Sequence, residues 1–368
     1  MKKRTIGLTT AVSLAVMAGF TFQATTGQTA VASVISKPTI KLTDIQNYWG
    51  KEAIEGAIHT GYVDGYEDGT FRPDQNVSRA EFIKMIATAL KLKVGQVEEG
   101  GNWYKAYVKA AIDAGISREN DFKSEDMNTP ISRLEMSRIA VRASDKELQK
   151  KEYTIDDNSV MFNATKTGLI QGLANGELAV DAPTTRAQSV TIIDRILKVN
   201  NGEKLQVDQA AASFAEIDLR GSNFETVWNM RIKTLPVTEK INDHLELTIH
   251  KMVVVDMKNP DAAYFDLYKK EEYAQPYVIG AYITLKNKAT QEENIIWPRQ
   301  MISTLLGNRA LATQDNIINF KTNKDGEYSG WVSFRFNRDV IDGFFAMGTY
   351  PLIELNLQSK QLNLMYNE

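Results

Sequence analysis

Arg79, Arg133 and Arg186 occupy the same place in three short sequences. These are Ser78-Arg79-Ala80-Glu81, Ser132-Arg133-Leu134-Glu135 and Thr185-Arg186-Ala187-Gln188. A hydroxyl residue followed three positions later by Glu or Gln, ahead of an apolar run, has the spacing of a capping box. It puts each arginine at the first position of a helix, beside free backbone N–H groups and the positive end of the helix dipole. Such a position can seat an anion, and a guanidinium there can pair with a carboxylate. Each arginine could equally pair with an acid of a neighbouring segment. Recurrence at one cap position puts the two readings level.

The elements that carry these residues repeat. Arg79 to Arg133 is 54 residues and Arg133 to Arg186 is 53. Gly61, Gly115 and Gly168 keep the same register. After each arginine the apolar residues follow a helical period: Ile83, Ile86 and Leu90, then Met136, Ile139 and Ala143, then Val190, Ile193 and Leu197. A second helix is expected before each glycine, with Trp49, Ala53 and Ala57 in the first copy and Trp103, Tyr107 and Ala111 in the second. In the third copy Asp156 stands where the tryptophan should be. Each copy, about 50 residues, buries little surface alone, so the three should share a core. The copies are expected at 41–92, 93–147 and 148–200.

The chain has 368 residues, 24% of them charged, a formal charge of −3 and no cysteine. Disulfides, thiol catalysis and cysteine–zinc sites are excluded. Lys2, Lys3 and Arg4 precede an apolar stretch from Ile6 to Phe20, and Ala30-Val31-Ala32 offers a cleavage site. Residues 1–32 read as a secretory signal peptide, with no membrane segment left after cleavage. The remaining chain is acidic, a poor partner for nucleic acid.

The first copy resembles the S-layer homology repeat of bacterial surface proteins. The match rests on Leu42-Thr43-Asp44, Tyr48-Trp49, Gly61-Tyr62-Val63, Asp68-Gly69-Thr70-Phe71, Pro73 and Ser78-Arg79-Ala80-Glu81-Phe82. The second copy keeps Trp103, Gly115 and Arg133; the third keeps Gly168-Leu169-Ile170, Gly172 and Thr185-Arg186-Ala187. The resemblance implies an all-α pseudo-trimer of helical repeats with grooves between neighbours, in the cell wall or S-layer of a Gram-positive bacterium. The ligand it implies is a secondary cell-wall polysaccharide bearing pyruvate ketals, each a carboxylate on a sugar ring. Arg79, Arg133 and Arg186 would meet that carboxylate. Trp49 and Trp103 would stack on sugar faces, or else pack in the core. Asp44 would accept from ligand hydroxyls or hold an arginine.

Residues 201–222 read as a linker with a short helix through Ala210-Ala211-Ala212. From Asn223 the period changes. Leu245, Leu247 and Ile249 alternate with polar residues, as do Tyr277, Ile279, Ala281, Ile283 and Leu285, and Val332, Phe334 and Phe336. An all-β antiparallel sandwich, immunoglobulin-like, is expected over 223–368. Residues 261–275 break the rhythm as a helical or mobile insertion, with packing back onto the sheet favoured. His244 and His250 fall on one strand face without a third metal ligand, and no G-x-S-x-G or H-E-x-x-H motif occurs. No enzyme, metal or cofactor is expected. The reading is a wall-anchored protein displaying a β interaction module, with other S-layer proteins as further candidate partners. A self-assembling S-layer subunit and a wall-anchored hydrolase of unrecognised type are the alternatives.

Overall fold

The computed structural model describes residues 42–269, 277–288, 302–304, 326–336, 338–349, 353–357 and 360–365. The expected signal peptide at 1–32 and the end of the expected insertion at 270–275 lie outside them. Among the described residues the chain is mixed: eleven α-helices, a four-stranded antiparallel sheet and a three-stranded one.

The first part is helical. It runs α1 (Lys51–Thr60), α2 (Arg79–Ala89), α3 (Lys105–Asp113), α4 (Arg133–Ser144), α5 (Lys146–Gln149), α6 (Asp157–Lys166), α7 (Arg186–Asn200) and α8 (Gln209–Arg220). Helices α2, α4 and α7 start at Ser78, Ser132 and Thr185, each with a complete reciprocal capping box. Gly61, Gly115 and Gly168 all take left-handed φ, between 73° and 81°. Side-chain space matters at two of them. A Cβ on Gly115 would fall 2.4 Å from the Gln149 carbonyl, and one on Gly168 would fall 2.8 Å from that of Gln206.

The three caps meet in a closed ring. The N–H of Val77 donates to the Thr184 carbonyl, that of Thr184 to Ile131, and that of Ile131 back to Val77, each at 2.9 Å. The next donors also cross between copies. Arg79 and Ala80 donate to Thr129 and Met127, Arg133 and Leu134 to Ala182 and Val180, and Arg186 and Ala187 to Gln75 and Pro73, all at 2.9–3.0 Å. The first N–H groups of each helix, which the sequence offers to an anion, are thus taken by protein carbonyls. One apolar core unites all three copies, from Phe71, Phe82 and Ile86 through Met136 and Ile139 to Val190 and Ile193.

Helix α8 lies in the stretch read as a linker. Its Ala211 and Ala215 complete the helical core, while Ile217 packs with Val253, Val255, Tyr268 and Val278 beyond it. Buried Glu216 accepts from the N–H groups of Glu225 and Thr226 at 3.0 and 2.7 Å. Glu225 opens α9 (Phe224–Trp228) and meets Lys166 of α6, Arg220 of α8 and Arg231. Burial pushes its carboxyl up, but Arg231, Lys166 and Arg220 outweigh that and hold it at about 2.

The remainder is β1 (Val237–Lys240), β2 (Leu245–Asp256), α10 (Phe265–Tyr268), β3 (Tyr277–Asn287), β4 (Ile302–Thr304), β5 (Gly326–Phe336), α11 (Arg338–Ala346), β6 (Ile353–Leu357) and β7 (Lys360–Asn363). The larger sheet has the order β1-β2-β3-β5, and the smaller one β4-β6-β7. One face of the larger sheet carries Leu245, Leu247, Ile249, Ile279, Ile283 and Val332 and buries them with Phe224, Trp228 and Ile341. A bulge at His250, where the register shifts between Ile249 and Lys251, interrupts the alternation. The aromatic segment before β3 packs back onto the other face, with Tyr268 fully buried.

Candidate functional site

The site is built on Trp49, which precedes α1. Neighbouring Tyr48 is anchored: its hydroxyl donates to Asp74 at 2.6 Å, and burial with this carboxylate pushes it up to about 12. Trp49 stands against Tyr48, ring centroids 5.5 Å apart, and is 63% exposed, unusual for an indole on a folded surface. It lines a cavity of about 310 Å³ with Arg133, Gln171, Gly172, Gln188, Thr191 and Arg195. An adjoining cavity of about 350 Å³ shares Trp49, Gln171, Thr191 and Arg195 and adds Glu52, Asp194 and Lys198. First, second and third copies all contribute to this cleft.

The charge of the first cavity comes from two guanidiniums. Arg133 donates from Nε to the Leu178 carbonyl at 2.8 Å and from Nη2 to that of Gln171 at 2.7 Å. Arg195 donates to the Leu169 carbonyl at 3.2 Å and to the Gln171 side chain at 2.9 Å. Neither forms an ion pair among the described residues. Burial lowers the pKa of both, and for Arg133 the nearby Arg195 lowers it further. Two partly desolvated cations side by side make an anion-seeking pocket. Gly172 borders it, its N–H held by Asp208 at 3.0 Å. A Cβ on Gly172 would fall 2.5 Å from Gly176.

Of the six residues singled out in the sequence, Trp49 and Arg133 come together here. The other four do not line this cleft. Arg79 is 4% exposed, forks onto Glu135 at 2.5 and 3.2 Å, and gives Nη1 to Ser124 and Asp126. Arg186 donates to the Phe71 and Asp64 carbonyls, both at 3.0 Å, and lies over the rings of Phe71 and Tyr66. Asp44 accepts the N–H groups of Phe71 and Arg72 at 2.9 and 2.7 Å, clamping the turn after Gly69. Trp103 is half-buried beside Tyr104, Tyr107 and the Lys84 ammonium. In the third copy Asp156 caps α6, and Asp157 pairs with Arg138 of α4 at 2.7 Å.

One residue separates the two buried arginines. The acid that neutralises Arg79 is the capping-box glutamate of the next copy, Glu135. Gln188 is the corresponding residue for Arg133, and it cannot carry a charge. Sequence reading overlooked Arg195. Its signal was the polar stripe Gln188, Thr191, Arg195 on α7, opposite the apolar Val190 and Ile193.

Residues 41–83 match the S-layer homology domain family. The chain is 33% identical over 192 residues to exoglucanase XynX of Acetivibrio thermocellus, covering 47% of this chain and 18% of that protein. It is 24% identical over 258 residues to the S-layer protein sap of Bacillus anthracis, covering 63% of this chain and 30% of that one. Over 51 residues it is 39% identical to a cellulosome-anchoring protein of Acetivibrio thermocellus, 14% of this chain and 11% of that protein. The chain therefore spans less than a third of each of these relatives. With these likenesses, residues 41–83 are an S-layer homology domain, similar to those of bacterial surface-layer proteins.

Proposed function

We propose that this protein attaches non-covalently to a bacterial cell wall by binding a wall polysaccharide in the Trp49 cleft, without catalysing a reaction, and so holds its β region at the cell surface. One observation carries this reading: an exposed tryptophan and two guanidiniums that form no ion pair among the described residues line the same cleft. The indole offers a flat apolar face to the C–H face of a sugar ring. Arg133 and Arg195 favour a carboxylate on that sugar, as a pyruvate ketal of a secondary wall polymer presents. Asp44, Arg79 and Arg186 serve the same function indirectly, by fixing the loops that wall the clefts. Trp103 with Lys84 offers a second, weaker cleft. In this reading the three copies act as a pseudo-threefold unit, a signal peptide directs export, and the β region is an immunoglobulin-like display module.

The test is co-sedimentation with wall fragments that retain their secondary polymer and with fragments stripped of it. The protein is expected to pellet with the first and stay soluble with the second. Trp49→Ala and Arg195→Gln are expected to remain in the supernatant with both while folding normally. Equal pelleting with stripped walls would sink the proposal.

A further inference from the structure

The face of the larger sheet away from its main core carries an ordered pattern across all four strands. Lys240, Glu246, Lys286 and Glu327 form one rung, opposed in register with alternating sign. Within it Lys286 and Glu327 approach to 3.6 Å. The next rung on this face is Thr238, Thr248, Thr284 and Ser329, four hydroxyls in a row. Thr238 and Thr248 bond at 2.9 Å, and Thr284 bonds Ser329 at 2.7 Å. The bulge turns His250 toward this row, where its Nε2 meets the Thr284 hydroxyl at 2.8 Å. The following rung is aromatic: Tyr282 lies opposite Trp331, centroids 5.5 Å apart. His250 extends it on one side at 5.9 Å, and Tyr264 and then Phe214 on the other at 5.4 and 5.7 Å. All five rings are partly buried: Phe214 packs against the helical core, and Tyr264 and Trp331 against the Tyr268 cluster, so each offers only its outer surface.

We propose that this face is a second binding site, for a neutral polysaccharide chain, distinct from the Trp49 cleft. Rings in a continuous row stack against the apolar faces of successive sugars. The exposed Thr238 and Ser329 hydroxyls exchange hydrogen bonds with sugar hydroxyls, and buried Thr284 with His250 holds the row in place. Charge selects the ligand. The charged rung alternates and cancels along its length, and Lys251, which lies opposite Tyr282 in the aromatic rung, is offset by nearby Asp218, so an anionic polymer gains no net attraction there. An apolar protein partner or a membrane would take the exposed Thr238 and Ser329 hydroxyls and the charged rung out of water, a desolvation cost that a polyol avoids. The bulge contributes by re-aiming one side chain without breaking the sheet, a role such irregularities have at binding sites.

The full-length protein would be run in native affinity gels containing hydroxyethylcellulose, soluble starch or galactomannan as neutral probes, with polygalacturonate as the anionic control. Retardation by at least one neutral glycan and none by polygalacturonate is expected. Tyr282→Ala with Trp331→Ala should abolish it. Because Trp331 also packs on Tyr264, Ser329→Arg provides a second variant: it obstructs the hydroxyl rung from an exposed position and should abolish retardation with an unchanged melting temperature. Trp49→Ala should keep full retardation, which separates this site from the wall-binding cleft. Unretarded migration in all three neutral gels, or retardation that survives both Tyr282→Ala/Trp331→Ala and Ser329→Arg, overturns the proposal. Self-association in sedimentation that disappears with Ser329→Arg would assign the face to a second copy of the chain and overturn it equally.

Discussion

Three arginines at identical positions in their local motifs have different surroundings: Arg79 and Arg133 differ in the capping-box residue of the next copy, while Arg186, whose counterpart is Glu81, donates to the Phe71 and Asp64 carbonyls instead. Arg79 faces Glu135 and forms a buried ion pair. Arg133 reaches the copy whose capping box ends in Gln188, and it lies beside Arg195 with no ion pair among the described residues. Arg79→Ala should therefore act on stability, because it strands a buried carboxylate. A loss of about 3–5 kcal/mol in denaturant unfolding is expected. Gln188→Glu should act on binding. It introduces the missing acid into the cleft, and affinity for an acidic wall polymer should fall about tenfold, the effect of roughly one charge-assisted hydrogen bond. Titration of the polymer into the folded variant measures it. Gln188→Met, similar in size and uncharged, should retain most of the affinity.

At the scale of elements, the caps were legible because a capping box is local: four consecutive residues contain both bonds. The strands were legible from alternation until the bulge at His250, which shifts the period without any mark in composition. The ring of Val77, Ile131 and Thr184 was not legible, since each of these residues simply precedes a cap. Thr184 joins two apolar counterparts there, and its hydroxyl is fully buried with no partner among the described residues. Thr184→Val should stabilise the protein by about 1 kcal/mol, the cost of an unmet buried hydroxyl. A raised melting temperature checks this. In the sheet, a Cβ on Gly280 would fall 2.1 Å from the Tyr268 hydroxyl. Gly280→Ala should cost about 1–3 kcal/mol by overpacking, read from the same unfolding curve.

At the scale of the molecule, α8 is part of the helical core as well as its exit. Asp208 holds Gly172 at the cleft, and Gly176 lies against Ala210. A fragment ending at residue 200 should melt lower and pellet less with walls than one ending at residue 222. Equal behaviour of the two fragments would show that α8 is dispensable. The Glu225 corner joins α6, α8 and α9, and its carboxyl is held at about 2, below its ordinary value of about 4.3. A depressed acid stabilises the fold above its unfolded pKa and loses that contribution as pH falls toward its folded one. Stability should therefore decline between about pH 4.5 and 2, and Glu225→Gln should flatten that decline in acid unfolding.

The sequence by itself determined where the helices begin, where the chain turns on glycine, where the period changes from helix to strand, and that three copies recur. Each of these rests on contacts within a few residues, which the order of amino acids specifies directly. Only the tertiary structure decided which arginine is neutralised and which tryptophan stands in an open cleft. Both depend on which copy meets which around the ring, and on hydrogen bonds between residues far apart in the chain. The Trp49 cleft closes between the first and the third copy, with Arg133 of the second, and the capped helices of the first and third lie more than a hundred residues apart, so the residues beside Trp49 in the chain do not show which cleft it enters.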